Sequence, residues 1–139
     1  MTVLILGGTG LLGNSFNESY LKDNTKVVVH GRSIPSNINF DINDQNKLLK
    51  SLNQIKPKYI INCAALTDVN LCNKDFSLAY LNNVLPNKKL IKCIKKAKIK
   101  PHLTYISTDQ VYNNVSKLKS SAEDKFNIIN NYGKSKYYG

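Results

Sequence analysis

Tyr132 and Lys136 stand four residues apart near the end of the chain, in the segment Tyr-Gly-Lys-Ser-Lys. On a helix this spacing brings a phenol and an ammonium side by side on one face. A neighbouring positive charge favours the phenolate, so we expect the pKa of Tyr132 to be lowered from its ordinary value of about 10. Such a tyrosine can exchange a proton with a bound substrate. By itself the pair is a weak signal, because tyrosine and lysine are frequent in this sequence.

A second candidate site lies at the start of the chain, where three glycines follow an apolar segment at intervals of three residues. A turn from strand to helix needs a residue that tolerates positive φ, and a pyrophosphate must approach the backbone closely. The first turn of the helix then supplies N–H groups and the positive end of its dipole. The pattern predicts a dinucleotide-binding loop made by Gly7, Thr9, Gly10, Leu11, Leu12 and Gly13.

The residues after the second predicted strand bear on which dinucleotide binds. NAD-binding proteins of this type place an acidic residue there to hold the ribose hydroxyls, but this chain reads Val-His-Gly-Arg-Ser from Val29 to Ser33. Arg32 can form a forked contact with a 2′-phosphate, and Ser33 can donate a hydrogen bond to it. We therefore expect NADPH, with NADH and a solvated Arg32 as the alternative. We expect His30 to pack or to lie beside the ribose, because no second metal ligand is near.

These residues need a scaffold, and the hydrophobic pattern alternates between strand-like and helix-like segments. Strands are predicted at Val3–Leu6, Val27–Val29, Ile38–Phe40, Tyr59–Cys63 and His102–Ile106, and helices at Leu11–Leu21, Asp44–Ile55, Cys72–Leu81, Pro86–Lys98 and Tyr132–Gly139. This alternation is typical of a parallel sheet covered by helices on both faces. We predict a Rossmann-like, doubly wound α/β fold, with 1–139 as one nucleotide-binding domain. The core-facing side chains of the first helix are predicted to be Leu12, Phe16, Tyr20 and Leu21.

Composition is that of an ordinary globular protein, with 42% hydrophobic and 21% charged residues. The chain has neither an apolar run of membrane-spanning length nor a signal-peptide start, so we expect a cytoplasmic protein without a membrane partner. Three cysteines without CxxC spacing favour thiols over disulfides, and no metal site is predicted. Much of the net charge of +11 lies in the lysine-rich segment 87–98. We interpret it as a solvated helix face rather than a nucleic-acid site, because no aromatic or arginine side chain is interleaved.

Four segments together carry a family resemblance. They are the glycine loop, the stretch from Ile61 to Val69, the stretch from Tyr105 to Tyr112, and the segment from Tyr132 to Lys136. In this order and at these intervals they resemble the extended short-chain dehydrogenase/reductases, most closely the dTDP-4-dehydrorhamnose reductases and related sugar-nucleotide reductases. The resemblance runs from residue 3 to the end. It implies reduction of the C4 ketone of a nucleotide-linked deoxysugar by NADPH, in deoxysugar and polysaccharide synthesis.

The resemblance also implies roles for particular residues. Tyr132 would protonate the new alkoxide, Lys136 would lower the tyrosine pKa and hold the nicotinamide ribose, and Thr108 would hydrogen-bond the substrate oxygen. Further cofactor contacts would come from the adenine-side pair Asp41 and Ile42, the close-passing Ala64 and Ala65, Thr67 at the nicotinamide entrance, and Asn83 in the helix behind. For Asp41 and Asn83, a turn or helix cap and a satisfied interior amide explain the residue equally well.

This chain departs from the family pattern at several places. Gln110 stands where sugar-nucleotide dehydratases carry an acid, and because an amide cannot transfer a proton, reduction is favoured over dehydration. Epimerisation is less favoured, because epimerases usually show different residues in the fourth-strand motif. Asn130 and Asn131 precede Tyr132, where a small apolar residue is common. The family continues for another half-length with the substrate lobe, so we expect the domain to be incomplete at its C-terminus and this length alone to be inactive.

A second function remains open beside the enzyme. The fold could serve a non-catalytic NAD(P)-binding regulatory subunit, similar to that of methionine adenosyltransferase, but the presence of Thr108, Tyr132 and Lys136 favours the enzyme. The expected partner is a nucleotide-sugar substrate rather than nucleic acid. A homodimer is an alternative to the monomer, because family members often pair through the helices flanking the fifth strand. The lysine-rich face of the second of these helices argues for solvent there.

Overall fold

The computed structural model describes residues 1–32, 36–112 and 124–139. The chain divides into two compact units. We call the first the sheet unit, which consists of Met1–Ala65 and Pro86–Ile106, and the second the tyrosine unit, which consists of Leu66–Leu85 and Ser107–Gly139. The helices in chain order are α1 (Leu11–Lys22), α2 (Gln45–Ile55), α3 (Val69–Lys74), α4 (Phe76–Asn83), α5 (Leu85–Lys96) and α6 (Asn131–Tyr138), with a 3-10 turn at Asp109–Val111.

The sheet unit is built on a parallel sheet. Its strands in the described residues are β1 (Thr2–Leu6), β2 (Lys26–Gly31), β3 (Ile38–Asn39), β4 (Tyr59–Asn62) and β5 (His102–Tyr105). Their order is β3-β2-β1-β4-β5, so the direction of winding reverses between β1 and β4. Leu6 of β1 is in register with His30 of β2 and with Asn62 of β4. The carboxyl ends of these strands therefore meet at the reversal point, where sheets of this kind bind ligands.

Helices cover both faces of the sheet, as predicted. Alternate side chains of a strand point to opposite faces. On one face Val3, Ile5 and Ile61 are buried together, with Phe16 and Tyr20 of α1 packed against them. The other face forms a larger cluster that joins β1 and β4 to α2 and α5, with Leu4, Leu6, Leu48, Leu52, Ile60 and Leu90 among its buried members. The predicted doubly wound fold is thereby confirmed.

One detail of the predicted core is wrong. Leu12 and Leu21 of α1 are 45% and 57% exposed, whereas Phe16 and Tyr20, four residues apart, pack on the sheet. A helix that lies on one face of a sheet buries only a narrow stripe of side chains. Leu12 and Leu21 fall outside that stripe.

The tyrosine unit contains α3, α4, the 3-10 turn and α6. The single helix predicted at Cys72–Leu81 is instead two helices, because Asp75 has extended backbone (φ −141°, ψ 98°) and its carboxylate accepts the N–H of Leu78. Aspartate is a preferred N-cap, so Asp75 ends α3 and starts α4. In the part of the chain that the structure describes, no helix has the length and apolar character needed to cross a membrane.

Candidate functional site

Gly7 turns the chain from β1 into the glycine loop. Its φ of +71° is in the left-handed region, and a Cβ at this position would lie 2.7 Å from both N and Cα of Ala64. Only glycine meets both conditions. The structure thus brings together two residues that the sequence assigned to the cofactor site, with the backbone after β4 passing directly beside the loop.

Gly13 and Gly10 have different surroundings. A Cβ on Gly13 would lie 2.6 Å from Cα of Gly8, so the first turn of α1 packs directly on the loop backbone. A Cβ on Gly10 would meet only the carbonyl oxygen of Gly7, at 3.4 Å, which is an ordinary contact. Gly10 is exposed and is the N-cap of α1, with no side-chain capping bond. The protein leaves room at Gly10 for a ligand phosphate at the helix N-terminus.

The other loop residues lie at the surface. Thr9 is exposed, and so are Leu11 at 93% and Leu12 at 45%. Arg32 is exposed after β2, and Ser33 lies outside the described residues. Exposed side chains beside an exposed helix N-terminus suit a ligand that binds across the end of the sheet.

His30 packs in the core, which is one of the two roles expected for it, the other being a position beside the ribose. Its ring lies 4.5 Å from that of Phe40, and its Nε2 is 3.0 Å from the Phe40 carbonyl oxygen. Burial lowers the pKa of His30, against smaller opposite effects of the Phe40 hydrogen bond and of Asp41. The ring is therefore neutral near pH 7. Among the described residues, no three His, Cys, Asp or Glu side chains are grouped to hold a metal.

The predicted adenine-side pair has structural roles. The Asp41 carboxylate accepts the N–H of Asn43 at 2.8 Å, and its carbonyl accepts the N–H of Asp44 at 2.7 Å, so Asp41 closes a turn. Ile42 is buried in the larger core cluster. These contacts agree with the turn-capping explanation of Asp41, and they leave its exposed side chain beside the end of β3.

Sequence reasoning missed Asn62, the last residue of β4. Asn62 is 1% exposed; its Oδ1 accepts the N–H of Ala64 at 3.1 Å, and its Nδ2 donates to Oδ1 of Asn87 at 2.6 Å. A buried amide with both ends bonded holds its neighbours in place. Asn62 thereby fixes the backbone of Ala64 beside Gly7. The available signal was a polar residue directly after the apolar run Tyr59–Ile61.

In the tyrosine unit the three predicted catalytic residues share one small region. Tyr132 lies beside the Thr108 side chain, close enough for their interaction to affect the pKa of the phenol. Lys136 follows one turn later on α6 and is 4% exposed. Lysine is rarely buried unless its ammonium is paired. The structure thus places Thr108 beside Tyr132 and carries Lys136 on the same short helix as Tyr132.

The expected lowering of the Tyr132 pKa is wrong. Burial raises the pKa of Tyr132, and Cys72 and Asp109 add to this effect, while the hydrogen bond with Thr108 acts in the opposite direction. Removing a phenol from water disfavours its charged form. The spacing of Tyr132 and Lys136 could not reveal this, because burial depends on the segments packed on α6, which include α3, α4 and the 3-10 turn. Tyr132 is accordingly a protonated phenol at neutral pH.

Asn130, noted in the sequence only as a departure, links α6 to the turn that carries Thr108. Its Oδ1 accepts the N–H of Gly133 at 2.7 Å, which caps the helix, and its Nδ2 donates to Oε1 of Gln110 at 2.8 Å. The N–H of Gln110 in turn donates to Oγ1 of Thr108 at 3.3 Å. Asparagine three residues before a helical N–H is a readable capping signal. Gln110 therefore connects the start of α6 to Thr108, because its side chain is bonded to Asn130 and its backbone N–H to Thr108.

The neighbouring Asn131 joins α6 to α3. Its N–H donates to Oδ1 of Asn73 at 2.9 Å, and its Nδ2 donates to the Asn73 carbonyl oxygen at 3.3 Å. A small apolar residue could make only the first of these bonds. The two asparagines before Tyr132 are thus part of the local framework of this site.

Asn83 is a satisfied interior amide, in agreement with one of its two expected explanations. It is 1% exposed; its Oδ1 accepts the N–H of Leu66 at 2.7 Å, and its Nδ2 donates to the Leu66 carbonyl at 3.0 Å and to Oγ of Ser135 at 2.8 Å. Ser135 donates to the carbonyl of Tyr132 at 2.7 Å. The amide thus ties α6 to the segment before the exposed Thr67. Ser135 was missed, because nothing in its sequence context distinguishes it.

Comparison with known proteins identifies the family. The sequence matches the family described as the RmlD substrate binding domain over residues 1–139. The chain belongs to this family. It is 30% identical to dTDP-4-dehydrorhamnose reductase of Aggregatibacter actinomycetemcomitans over 139 residues, which is 99% of this chain and 45% of that protein. It is also 30% identical to methionine adenosyltransferase 2 subunit beta of Xenopus tropicalis, over 98% of this chain and 40% of that protein.

Solved structures agree with the assignment to the RmlD family. The crystal structure of dTDP-4-dehydrorhamnose reductase from Bacillus anthracis, in complex with NADP, matches with a TM-score of 0.84 at 28% identity, covering 99% of this chain and 46% of that one. UDP-glucose 4-epimerase from Brucella ovis, in complex with NAD, matches with a TM-score of 0.91 at 23% identity, which shows the fold alone. The chain spans less than half the length of the relatives named here. The family groups it with sugar-nucleotide reductases and epimerases.

Proposed function

We propose that this chain is the NADPH-binding and proton-donating part of a cytoplasmic reductase that acts on a 4-keto nucleotide-sugar, as dTDP-4-dehydrorhamnose reductases do. The observation that carries the proposal is the proximity of Tyr132 to Thr108, with Lys136 on the same helix as Tyr132. A phenol held by a hydroxyl and followed by an ammonium can donate a proton to an oxygen that becomes negatively charged. Reduction of a ketone needs such a donor.

Each member of the group has a distinct part in this reaction. Tyr132 is the general acid: its phenol is protonated at neutral pH and can donate the proton to the substrate oxygen that becomes negatively charged. Thr108 holds the substrate oxygen and the phenol in one hydrogen-bonded set, and Lys136 contributes positive charge from α6. Gln110 cannot act as an acid, and its amide oxygen accepts a hydrogen bond from Asn130. This supports reduction over dehydration.

The cofactor requirement rests on the sheet unit. When bound, the nicotinamide cofactor supplies the hydride. Its phosphates would be held at the N-terminus of α1 beside Gly10, with Arg32 at a 2′-phosphate. The Bacillus anthracis reductase was solved with NADP and the Brucella ovis epimerase with NAD, so these complexes support a nicotinamide cofactor. The choice of NADPH rests on Arg32 and on the lack of an acidic residue at the end of β2. Further contacts are proposed for Gly7, Thr9, Leu11, Leu12, Gly13, Ser33, Asp41, Ile42, Ala64, Ala65, Thr67, Asn83, Tyr132 and Lys136.

Cofactor titration tests this half of the proposal. Binding of NADPH and NADH is followed by the fluorescence of the reduced nicotinamide, with the Arg32→Ala variant measured beside the parent chain. Loss of a charge-assisted contact to phosphate is expected to weaken NADPH binding by roughly tenfold to a hundredfold and to leave NADH binding unchanged. Lys26→Ala, at the opposite end of β2, is the matched control. Equal affinities of the parent chain for both cofactors would contradict the assignment to NADPH.

A second function is favoured by one observation, the similarity to methionine adenosyltransferase 2 subunit beta. The alternative is a regulatory subunit that binds a dinucleotide without catalysis. Turnover of a dTDP-4-keto sugar by the full-length protein separates the two. For the reductase, Tyr132→Phe should lower turnover by about 10²- to 10⁴-fold with NADPH binding retained. If the full-length protein binds NADPH and shows no turnover of any 4-keto nucleotide-sugar, the regulatory alternative is supported instead.

A further inference from the structure

The carboxyl end of β2 touches the glycine loop through Gly31 and Thr9. Gly31 is buried, and a Cβ at this position would lie 2.5 Å from Cγ2 and 2.7 Å from Oγ1 of Thr9. The preceding residue, His30, directs its ring to Phe40 in the core. Successive side chains of a strand point to opposite sides. Position 31 is therefore the position at this end of β2 from which a side chain would point at the loop.

Thr9 cannot clear this space by rotating its side chain. A side chain occupies one of three staggered positions about χ1, and threonine fills two of them with heavy atoms. Both filled positions lie within 2.7 Å of a Cβ at residue 31, and the Thr9 Cβ itself is at 3.2 Å. Any rotation about χ1 of Thr9 leaves at least one γ atom in the space that a Cβ at residue 31 would need. A side chain at residue 31 thus requires the backbone of the loop or of β2 to move.

We propose that Thr9 and Gly31 together determine the cofactor selectivity of this site, by excluding a carboxylate from the end of β2. The inference rests on the proposed dinucleotide-binding function. NAD-binding sites of this architecture use an Asp or Glu at the end of the second strand to hold the ribose hydroxyls. The same carboxylate would repel a 2′-phosphate. With position 31 closed to side chains, Arg32 is the charged residue that this end of β2 presents, and it favours the phosphorylated ribose of NADPH.

Two substitutions of Thr9 that are nearly identical in size should differ in whether they make room for a side chain at residue 31. Thr9→Ser leaves one γ atom, which can move to the third staggered position and open the gap. Thr9→Val keeps two γ atoms and the shape of threonine, so the gap stays closed. The pair separates the shape of the side chain from its hydroxyl, because serine retains the hydroxyl and valine does not.

The test combines each Thr9 variant with Gly31→Asp and measures NADPH and NADH dissociation constants by nicotinamide fluorescence. Gly31→Asp, alone or combined with Thr9→Val, should weaken the binding of NADPH and of NADH equally, by roughly tenfold, because one backbone position becomes strained. Neither variant should prefer NADH. The double variant Gly31→Asp with Thr9→Ser should bind NADH in preference to NADPH more strongly than Thr9→Ser alone does. The ratio of the NADPH and NADH dissociation constants should shift towards NADH by about a hundredfold. The single Thr9 variants are the reference for each pair.

A second measurement reports the Thr9–Gly31 contact without cofactor. Gly31→Ala should lower the urea midpoint of unfolding in the parent chain and with Thr9→Val, and should lower it much less with Thr9→Ser. The inference is overturned if Gly31→Asp alone produces NADH preference, or if the serine and valine backgrounds behave alike. Failure of the parent chain to bind either cofactor would overturn both the proposed function and this selectivity. The midpoints would then show only whether the contact exists.

Discussion

The sheet unit and the tyrosine unit hold their candidate residues in different ways. In the sheet unit backbone contacts hold the candidate residues, because a Cβ on Gly7 or Gly13 would collide with other main-chain atoms. In the tyrosine unit a Cβ on Gly133 would likewise lie 2.6 Å from the Gln110 carbonyl oxygen, and side-chain amides add further links, because Asn83 and Asn130 bridge α6 to neighbouring segments. A site held by backbone contact is sensitive to added atoms, and a site held by amides is sensitive to lost hydrogen bonds. Both units contain both kinds of contact, since Asn62 also holds Ala64 in the sheet unit, so we expect the two units to differ in degree in their response to added atoms and to lost hydrogen bonds.

The two units also differ in the kinds of residue that they bury. Both clusters of buried hydrophobic residues found in the described chain belong to the sheet unit. In the tyrosine unit the buried residues are of both kinds: Cys72, Ala79, Val84 and Val111 are apolar, and Asn83, Ser135 and Lys136 are polar or charged. Buried polar groups stabilise a structure only when their hydrogen bonds are satisfied. The tyrosine unit thus combines a small set of buried apolar residues with specific hydrogen bonds, whereas the sheet unit has a broad apolar core.

The largest expected effect is that of adding one methyl group in the sheet unit. Gly13→Ala should lower the free energy of unfolding by about 3 kcal/mol, because its Cβ would lie against the backbone of Gly8, which cannot rotate away. Gly10→Ala is the matched control, since its Cβ meets only an ordinary contact. It should change stability by less than about 1 kcal/mol while weakening NADPH binding. Urea unfolding measures both, and parent-like stability of Gly13→Ala would contradict the backbone contact.

A somewhat smaller effect is expected from deleting an amide in the tyrosine unit. Asn83→Ala leaves the N–H and carbonyl of Leu66 and the hydroxyl of Ser135 without this partner, and should cost about 2 kcal/mol. Asn82→Ala is the control on the same helix, because Asn82 makes one exposed bond to the Leu78 carbonyl. It should cost less than about 0.5 kcal/mol. Equal unfolding midpoints for the two variants would show that the tyrosine unit does not depend on its amides.

The smallest expected effect concerns pH and the buried His30 of the sheet unit. Because burial lowers the pKa of His30, the unfolded chain takes up a proton more readily than the folded one. The resulting stability is present above the ordinary histidine pKa of about 6.5 and is lost as the pH falls below it towards the lowered value. His30→Gln should remove this slope, while His102→Gln at the exposed start of β5 should keep it. Unfolding midpoints between neutral and acid pH measure both.

The value of sequence reasoning differed between the two units. In the sheet unit it predicted the strands, the helices and the use of Gly7, because hydrophobic periodicity and positive φ are local properties. In the tyrosine unit the break at Asp75 was missed, although Asp followed by a helical segment is a capping signal. Asn130 was noted only as a departure, although it caps α6. Apolar patterns are easier to interpret than single polar residues, whose partners lie elsewhere in the chain.

The sequence by itself determined the order of elements, the glycine loop and the presence of Tyr132, Lys136 and Thr108, since these are properties of neighbouring residues. Only the tertiary structure decided that Tyr132 lies beside Thr108 and has a raised pKa, that Asn83 is bonded to Ser135, and that Gly31 faces Thr9. Each of these depends on contacts between segments that are distant in sequence. Burial and hydrogen-bond partners are set by such contacts, and no local pattern encodes them.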